Sequence, residues 1–223
     1  MSKLTLVIAL KSYTLIGSGE GFGSVIDTDL IFDNYGLPYI PVRRIKGLLR
    51  ESSLEISEMN LNQKFEKKDV DNLFGTPVKE GRVKTKNLKI DDYKKVKEWF
   101  KWAFADRNLN ISINLTSILE VLTEERHQTT IDDEKEIAKE HSLRTIRVLK
   151  PKIANREISF KGYLIVDDIT ERDEQLLSYA CMNLRHIGSK RNRGYGLVRC
   201  SLLNANIDLT EKYRNNLLEK PGA

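Results

Sequence analysis

ERDEQLLSYACMNLRHIGSKRNRGYGLVRCSLL, residues 171–203, carries three elements in succession. Leu176, Leu177, Ala180, Cys181, Leu184 and Ile187 recur at helical spacing, which predicts a helix over about Glu171 to Ile187, the last of the chain. GSKRNRGYG then interrupts it with Gly188, Gly194 and Gly196, residues that let the backbone bend tightly or approach a ligand closely. The apolar residues after Gly196 read as a closing strand. Lys190, Arg191 and Arg193 place three cations beside exposed backbone amides. Phosphate suits that combination, because a guanidinium fork meets some of its oxygens while amides meet others. Tyr195 can stack on a base or simply pack. The plainer alternative is a basic surface turn.

Upstream, Ile158, Phe160, Tyr163, Ile165 and Val166 mark a strand over 157–166. Before it, ERHQTTIDDEKEIAKEHSLRTIRVL, residues 125–149, is a long polar excursion between apolar stretches. It reads as an extended hairpin projecting from the body at about 124–150. Residues 109–123 are apolar and β-like. Residues 57–98 are polar and lysine-rich, with a strand led by Gly81-Arg82-Val83-Lys84. A helix over Asp92 to Phe104 follows, carrying Val96, Trp99, Phe100 and Ala103 near helical spacing. These features predict an inserted lobe over about 57–105.

At the start of the chain, Leu4, Leu6, Ile8 and Leu10 alternate, which predicts a first strand over residues 3–16. Gly17, Gly19, Gly21 and Gly23 follow, without the spacing of a P-loop or a dinucleotide fingerprint. VIDTDLIFDNYGLPYIP, residues 25–41, reads as two extended segments around the turn Asn34-Tyr35-Gly36. A helix over Val42 to Ile56 comes next, with Ile45, Leu48, Leu49 and Leu54 as its apolar stripe. Arg43, Arg44, Lys46 and Arg50 crowd its start, where the helix dipole opposes cations; a phosphate partner would offset that cost. Lys46 and Arg50, four residues apart, are expected on one face pointing toward the same ligand as the glycine-rich loop. Strand, helix, strand, occurring twice, predicts an α+β fold with a ferredoxin-like sheet and helices on one face.

The chain has 223 residues and a formal net charge of +5, from 37 Lys and Arg against 32 Asp and Glu. This mild excess matters through its clustering. Cys181 and Cys200 lack a CxxC partner, which argues against zinc and for reduced, buried thiols in an intracellular, cytoplasmic protein. The apolar N-terminus is too short for a membrane span and lacks a cleavage site, so no membrane partner is expected. His127, His141 and His186 lie in different elements at no metal-ligand spacing. Asp27 and Asp29 share a face if their segment is a strand, and carboxylates beside a phosphate surface can hold a divalent metal. Asp27 serves either as such a ligand or as a cap, Asp29 is the weaker metal candidate, and Asp33 reads as a turn cap.

Three segments together resemble the RAMP superfamily and, within it, the backbone subunits of type III CRISPR effector complexes. They are IDTDLIFDNYGLPYIPVRRIKGLLR (26–50), the hairpin of residues 126–149 with its following Phe160 and Gly162, and HIGSKRNRGYGLVRC (186–200). The resemblance implies a single RAMP domain over residues 1–223, with a ferredoxin-like (RNA-recognition-motif-like) palm, an inserted lobe and a projecting thumb hairpin. It implies stacking of subunits along guide RNA, with target RNA and further copies of the chain or other effector subunits as partners. Arg43, Arg44, Lys46, Arg50, Lys190, Arg191 and Arg193 stand where the family touches the guide backbone, and Asp27 stands where it cuts target RNA, with a divalent metal, Mg²⁺, as the implied cofactor. Val42-Arg43-Arg44 departs from the small residues usual there and adds charge and bulk. The alternatives are a non-catalytic RNA-binding subunit and a metal-independent ribonuclease that processes guide RNA.

Overall fold

The computed structural model describes residues 1–19, 21, 26–59, 65–105, 115–132, 137–140, 142–205 and 207–219. Gly23 and His141 lie outside the described residues. The strands are β1 (Ser2–Leu10), β2 (Tyr39–Ile40), β3 (Val83–Thr85), β4 (Leu88–Ile90), β5 (Thr123–Gln128), β6 (Ile131–Asp132), β7 (Ile137–Ala138), β8 (Arg144–Leu149), β9 (Lys152–Ile153), β10 (Arg156–Glu157), β11 (Ser159–Val166), β12 (Val198–Asn204) and β13 (Ile207–Asp208). The helices are α1 (Val42–Glu58), α2 (Lys67–Phe74), α3 (Tyr93–Ala105), α4 (Leu115–Leu122), α5 (Glu171–Asn183) and α6 (Leu209–Leu218).

The main sheet runs β13-β12-β1-β11-β4-β2, with β3 also on β11, and every named pairing in it is antiparallel. Alternation sets its two faces. Leu4, Leu6, Ile8 and Leu10 of β1 are fully buried, each contributing about 1.5–3 kcal/mol of burial. Phe160, Leu164 and Val166 of β11 and Cys200 and Leu202 of β12 join them. A helical layer covers this face: Ser52 Oγ of α1 donates to Ala180 O of α5 at 2.8 Å. Tyr179 of α5 meets Tyr213 of α6 edge-on, ring centroids 6.3 Å apart. The opposite face leaves Lys3 and Tyr163 outward, the ammonium 3.7 Å from the ring centroid.

β5 and β8 pair antiparallel from Thr123↔Leu149 to Gln128↔Arg144, forming a two-stranded arm, and β6 pairs with β7 farther along it. The arm is bound to the body at its base, where Thr14 and Leu149 exchange backbone hydrogen bonds of 3.1 and 2.8 Å.

Several expectations are corrected. The first strand stops at Leu10, and the chain then turns to line the glycine-rich loop. Part of the β-like stretch 109–123 is helix: Ile118, Leu119 and Leu122 lie on one buried side of α4. The segment expected as a polar lobe sends β3 and β4 into the main sheet, because Val83 and Leu88 are fully buried there. α5 ends at Asn183, and the buried Leu184 and Ile187 belong to the loop base. α6 follows as a further helix, its Asp208 side chain accepting from Glu211 N at 3.1 Å. Among the described residues, no helix is long and apolar enough to cross a membrane.

Candidate nucleic-acid interface

The glycine-rich loop is closed at its neck by backbone. Ile187 N donates to Gly196 O at 2.9 Å, and Val198 N to Arg185 O at 2.8 Å. Gly188 and Gly196 sit at the neck with φ of 80° and 78°. A Cβ on Gly188 would lie 2.3 Å from Leu15 O, and one on Gly196 2.0 Å from Ile187 O. Such close backbone approach admits only glycine. Ser189 N donates to Leu15 O (2.9 Å) and Gly196 N to Tyr13 O (2.8 Å), which fasten the loop to the segment after β1. At the tip, Arg191–Arg193 form one 3-10 turn closed by Gly194 at φ 78°, with open space around its Cα.

The cations of this loop differ in their surroundings. Arg191 and Arg193 are exposed, and among the described residues no carboxylate pairs with either. Lys190 is left-handed, at φ 59°, and its Nζ donates to Gln128 Oε1 on β5. Burial lowers the pKa of Lys190, and the nearby Arg193 and Arg144 lower it further. Cations collected with so little counter-charge favour an anion. Tyr195 is partly buried and packs against the core cluster.

α1 begins after Pro41, its first amide, Val42 N, donates to Asn87 Oδ1 at 2.8 Å, and its first turn holds no acidic residue. The positive end of the helix dipole and the exposed Arg43 and Arg44 add positive potential at one place. Arg44 Nη2 donates to Gly17 O at 2.6 Å, so the segment that holds the glycine-rich loop also holds the start of α1. Lys46 is partly exposed. Arg50 departs from the expectation: its Nη2 lies 2.9 Å from Asp71 Oδ1 and ties α1 to α2. That bond gives Arg50 a structural partner.

The three aspartates also separate. Asp27 is exposed; its N donates to Thr145 O (2.9 Å) and its Oδ2 accepts from Thr145 N (2.7 Å), which holds the carboxylate at the base of the arm. Asp29 is buried, and both its oxygens accept from Arg147 Nη1, at 3.1 and 2.9 Å. The two thus differ in surroundings, and the ion pair occupies the oxygens that a metal would need from Asp29. Asp33 caps its turn: Oδ1 accepts from Tyr35 N (3.0 Å) and Leu37 N (3.1 Å). The Tyr93 hydroxyl donates to Asp33 Oδ2 at 2.6 Å, and burial together with that carboxylate pushes the Tyr93 pKa up to about 12. Among the described residues, no three His, Cys, Asp or Glu gather as a metal-ligand group. Of the two candidate metal ligands, Asp29 is thus engaged by Arg147, while Asp27 keeps an exposed carboxylate.

Sequence reading missed Arg144 and Gln128. Both lie in the arm, whose polar residues look alike until the register sets these two opposite each other beside Lys190.

A family model described as the RAMP superfamily matches residues 7–199. No curated protein sequence matches the chain. Among solved structures, a type III-B Cmr-beta cryo-EM structure bound to cognate target RNA superposes with a TM-score of 0.66 at 14% identity, over 93% of this chain and 99% of that one. The apo state of Cmr-beta gives 0.65 at 13% identity, over 92% and 99%. At such identities the likeness speaks for the fold.

Proposed function

The chain belongs to the RAMP superfamily, and from that premise we propose that it is a guide-RNA-binding backbone subunit of a type III CRISPR effector complex. One observation carries the reading. Two arginines on a glycine-closed loop, without a carboxylate partner among the described residues, share a backbone anchor, residues 13–17, with the basic start of α1. The strand order β12-β1-β11-β4, with α1 and α5 on one face, supports reading the body as a ferredoxin-like palm. The β5–β8 arm is then the thumb, and target RNA, other effector subunits and further copies of the chain are the partners.

Changing Arg191 and Arg193 together to alanine is expected to weaken binding of unstructured RNAs of any sequence alike, since phosphate contacts carry no base information. The plot of log affinity against log salt should flatten by about 1.4, at about 0.7 per lost contact on single strands. Fluorescence anisotropy at several salt concentrations reads both. Unchanged affinity and slope would remove these residues from the site.

A second reading adds target cleavage at Asp27, favoured by its exposed carboxylate held in place by Thr145. A carboxylate so fixed can take the proton of a ribose 2′-hydroxyl as its oxygen attacks the adjacent phosphorus; the P–O5′ bond breaks, and the leaving 5′-oxygen takes a proton from water. In a complex reconstituted with guide and matching target, Asp27→Ala is expected to slow cleavage about 100-fold or more while target binding persists. The same assay with and without magnesium reads whether the reaction requires a divalent ion. Unchanged cleavage would reject the role of Asp27.

A further inference from the structure

A groove of about 510 Å³ lies between α1 and the start of the glycine-rich loop. Its size is that of a small-ligand cleft. Glu51 stands on the α1 wall, and Arg185, His186 and Arg191 stand on the other. Glu55, one turn beyond Glu51, is occupied: Asn183 Nδ2 donates to its Oε2 at 2.5 Å. Among the described residues, neither Glu51 nor Arg185 nor Arg191 has a side-chain partner, and no ion pair spans the groove. Opposite charges are thus held across one cleft without neutralising each other.

A ligand complementary to this arrangement carries an anion at one end and hydrogen-bond donors at the other. A nucleotide has that form. We propose that the groove holds one unpaired guanine nucleotide of the bound RNA, with its phosphate at Arg185 and Arg191 and its base edge on Glu51. The proposal rests on the RNA-binding reading above and adds a base-specific subsite to it. Arg191 links the two, because it borders both the groove and the loop tip. Guanine is singled out by donor geometry. Its Watson–Crick edge offers N1–H and the 2-amino group side by side, matching the two oxygens of a carboxylate. Adenine and cytosine place one amino group beside an acceptor nitrogen, which a carboxylate repels. Uracil offers one donor between two acceptors. His186 and Met59 supply ring and thioether surfaces for the face of the base.

The test measures anisotropy of the intact chain with labelled UUUGUUU, UUUAUUU and the inosine version, UUUIUUU, which lacks only the 2-amino group. The guanine oligomer is expected to bind about tenfold tighter than the adenine one, with inosine between. Glu51→Gln should bring the guanine-to-adenine ratio close to one, whatever the overall affinity becomes, with an unchanged melting temperature as the folding control. Equal binding of all three by the wild-type chain, or a preference that survives Glu51→Gln, overturns the subsite and leaves the RNA reading intact. Absence of binding to every oligomer overturns both. If Glu51→Gln instead alters only self-association in sedimentation, the groove is a protein interface and the proposal is wrong.

Discussion

Gly196→Ala is expected to destabilise the chain by about 2–4 kcal/mol and to weaken RNA binding with it. Two costs combine. The residue sits at φ 78°, where an added Cβ is strained, and that Cβ would lie 2.0 Å from Ile187 O. The neighbour is backbone, so no side chain can swing away. The neck bond from Ile187 N to Gly196 O would have to open, together with the anchor from Gly196 N to Tyr13 O. Thermal unfolding should show a melting temperature about 10 °C lower. Gly194→Ala is the internal comparison. It shares φ 78° but meets nothing within 4 Å, so its cost should stay near about 1 kcal/mol. Equal losses at the two positions would show that backbone conformation, not close approach, makes glycine necessary at the neck.

The second large effect is expected from Asp29→Ala, at about 3 kcal/mol. Removing the carboxylate leaves the guanidinium of Arg147 nearly buried, its side chain 12% exposed, with, among the described residues, the exposed Glu125 at 3.5 Å as its remaining ion-pair partner. An uncompensated charge in that position costs more than the pair contributes when intact. The damage falls on the base of the arm, where Arg147 N also donates to Thr28 O at 3.1 Å. For a chain of this length, the melting temperature should fall by about 6–12 °C. Asp29→Ala combined with Arg147→Met should recover much of the loss, because no charge is then buried alone. A double variant as unstable as the single one would locate the effect elsewhere.

Much of the fold was legible because it rests on local periodicity. Leu4 to Leu10 alternate and form β1; Ile45 and Leu49 repeat one turn apart and form the inner face of α1. The glycine-rich loop was legible for a similar reason, since glycines and cations occur together in one short stretch. Its boundary was not. Leu184 and Ile187 extend the stripe of α5 in sequence, but their burial is in the loop neck, and periodicity cannot separate those two environments. α4 was misread because a short apolar run fits a buried strand and a short helix equally well. Long-range pairing was the least visible. Arg50 has its partner at Asp71, and Asp29 has its partner at Arg147; nothing local distinguishes these charges from Arg43, Arg191 and Arg193, which have no ion-pair partner among the described residues. The composition of the site was thus readable, while the division between structural and available charge required the fold.

That division is the central claim: the start of α1 and the glycine-rich loop form one RNA-backbone surface. Photo-crosslinking of the intact chain to single-stranded RNA containing 4-thiouridine, with adducts located by mass spectrometry, tests it most directly. The account predicts adducts within residues 42–46 and 188–195. Adducts confined to the open sheet face at Tyr163, or to α3 at Trp99 and Trp102, would contradict it.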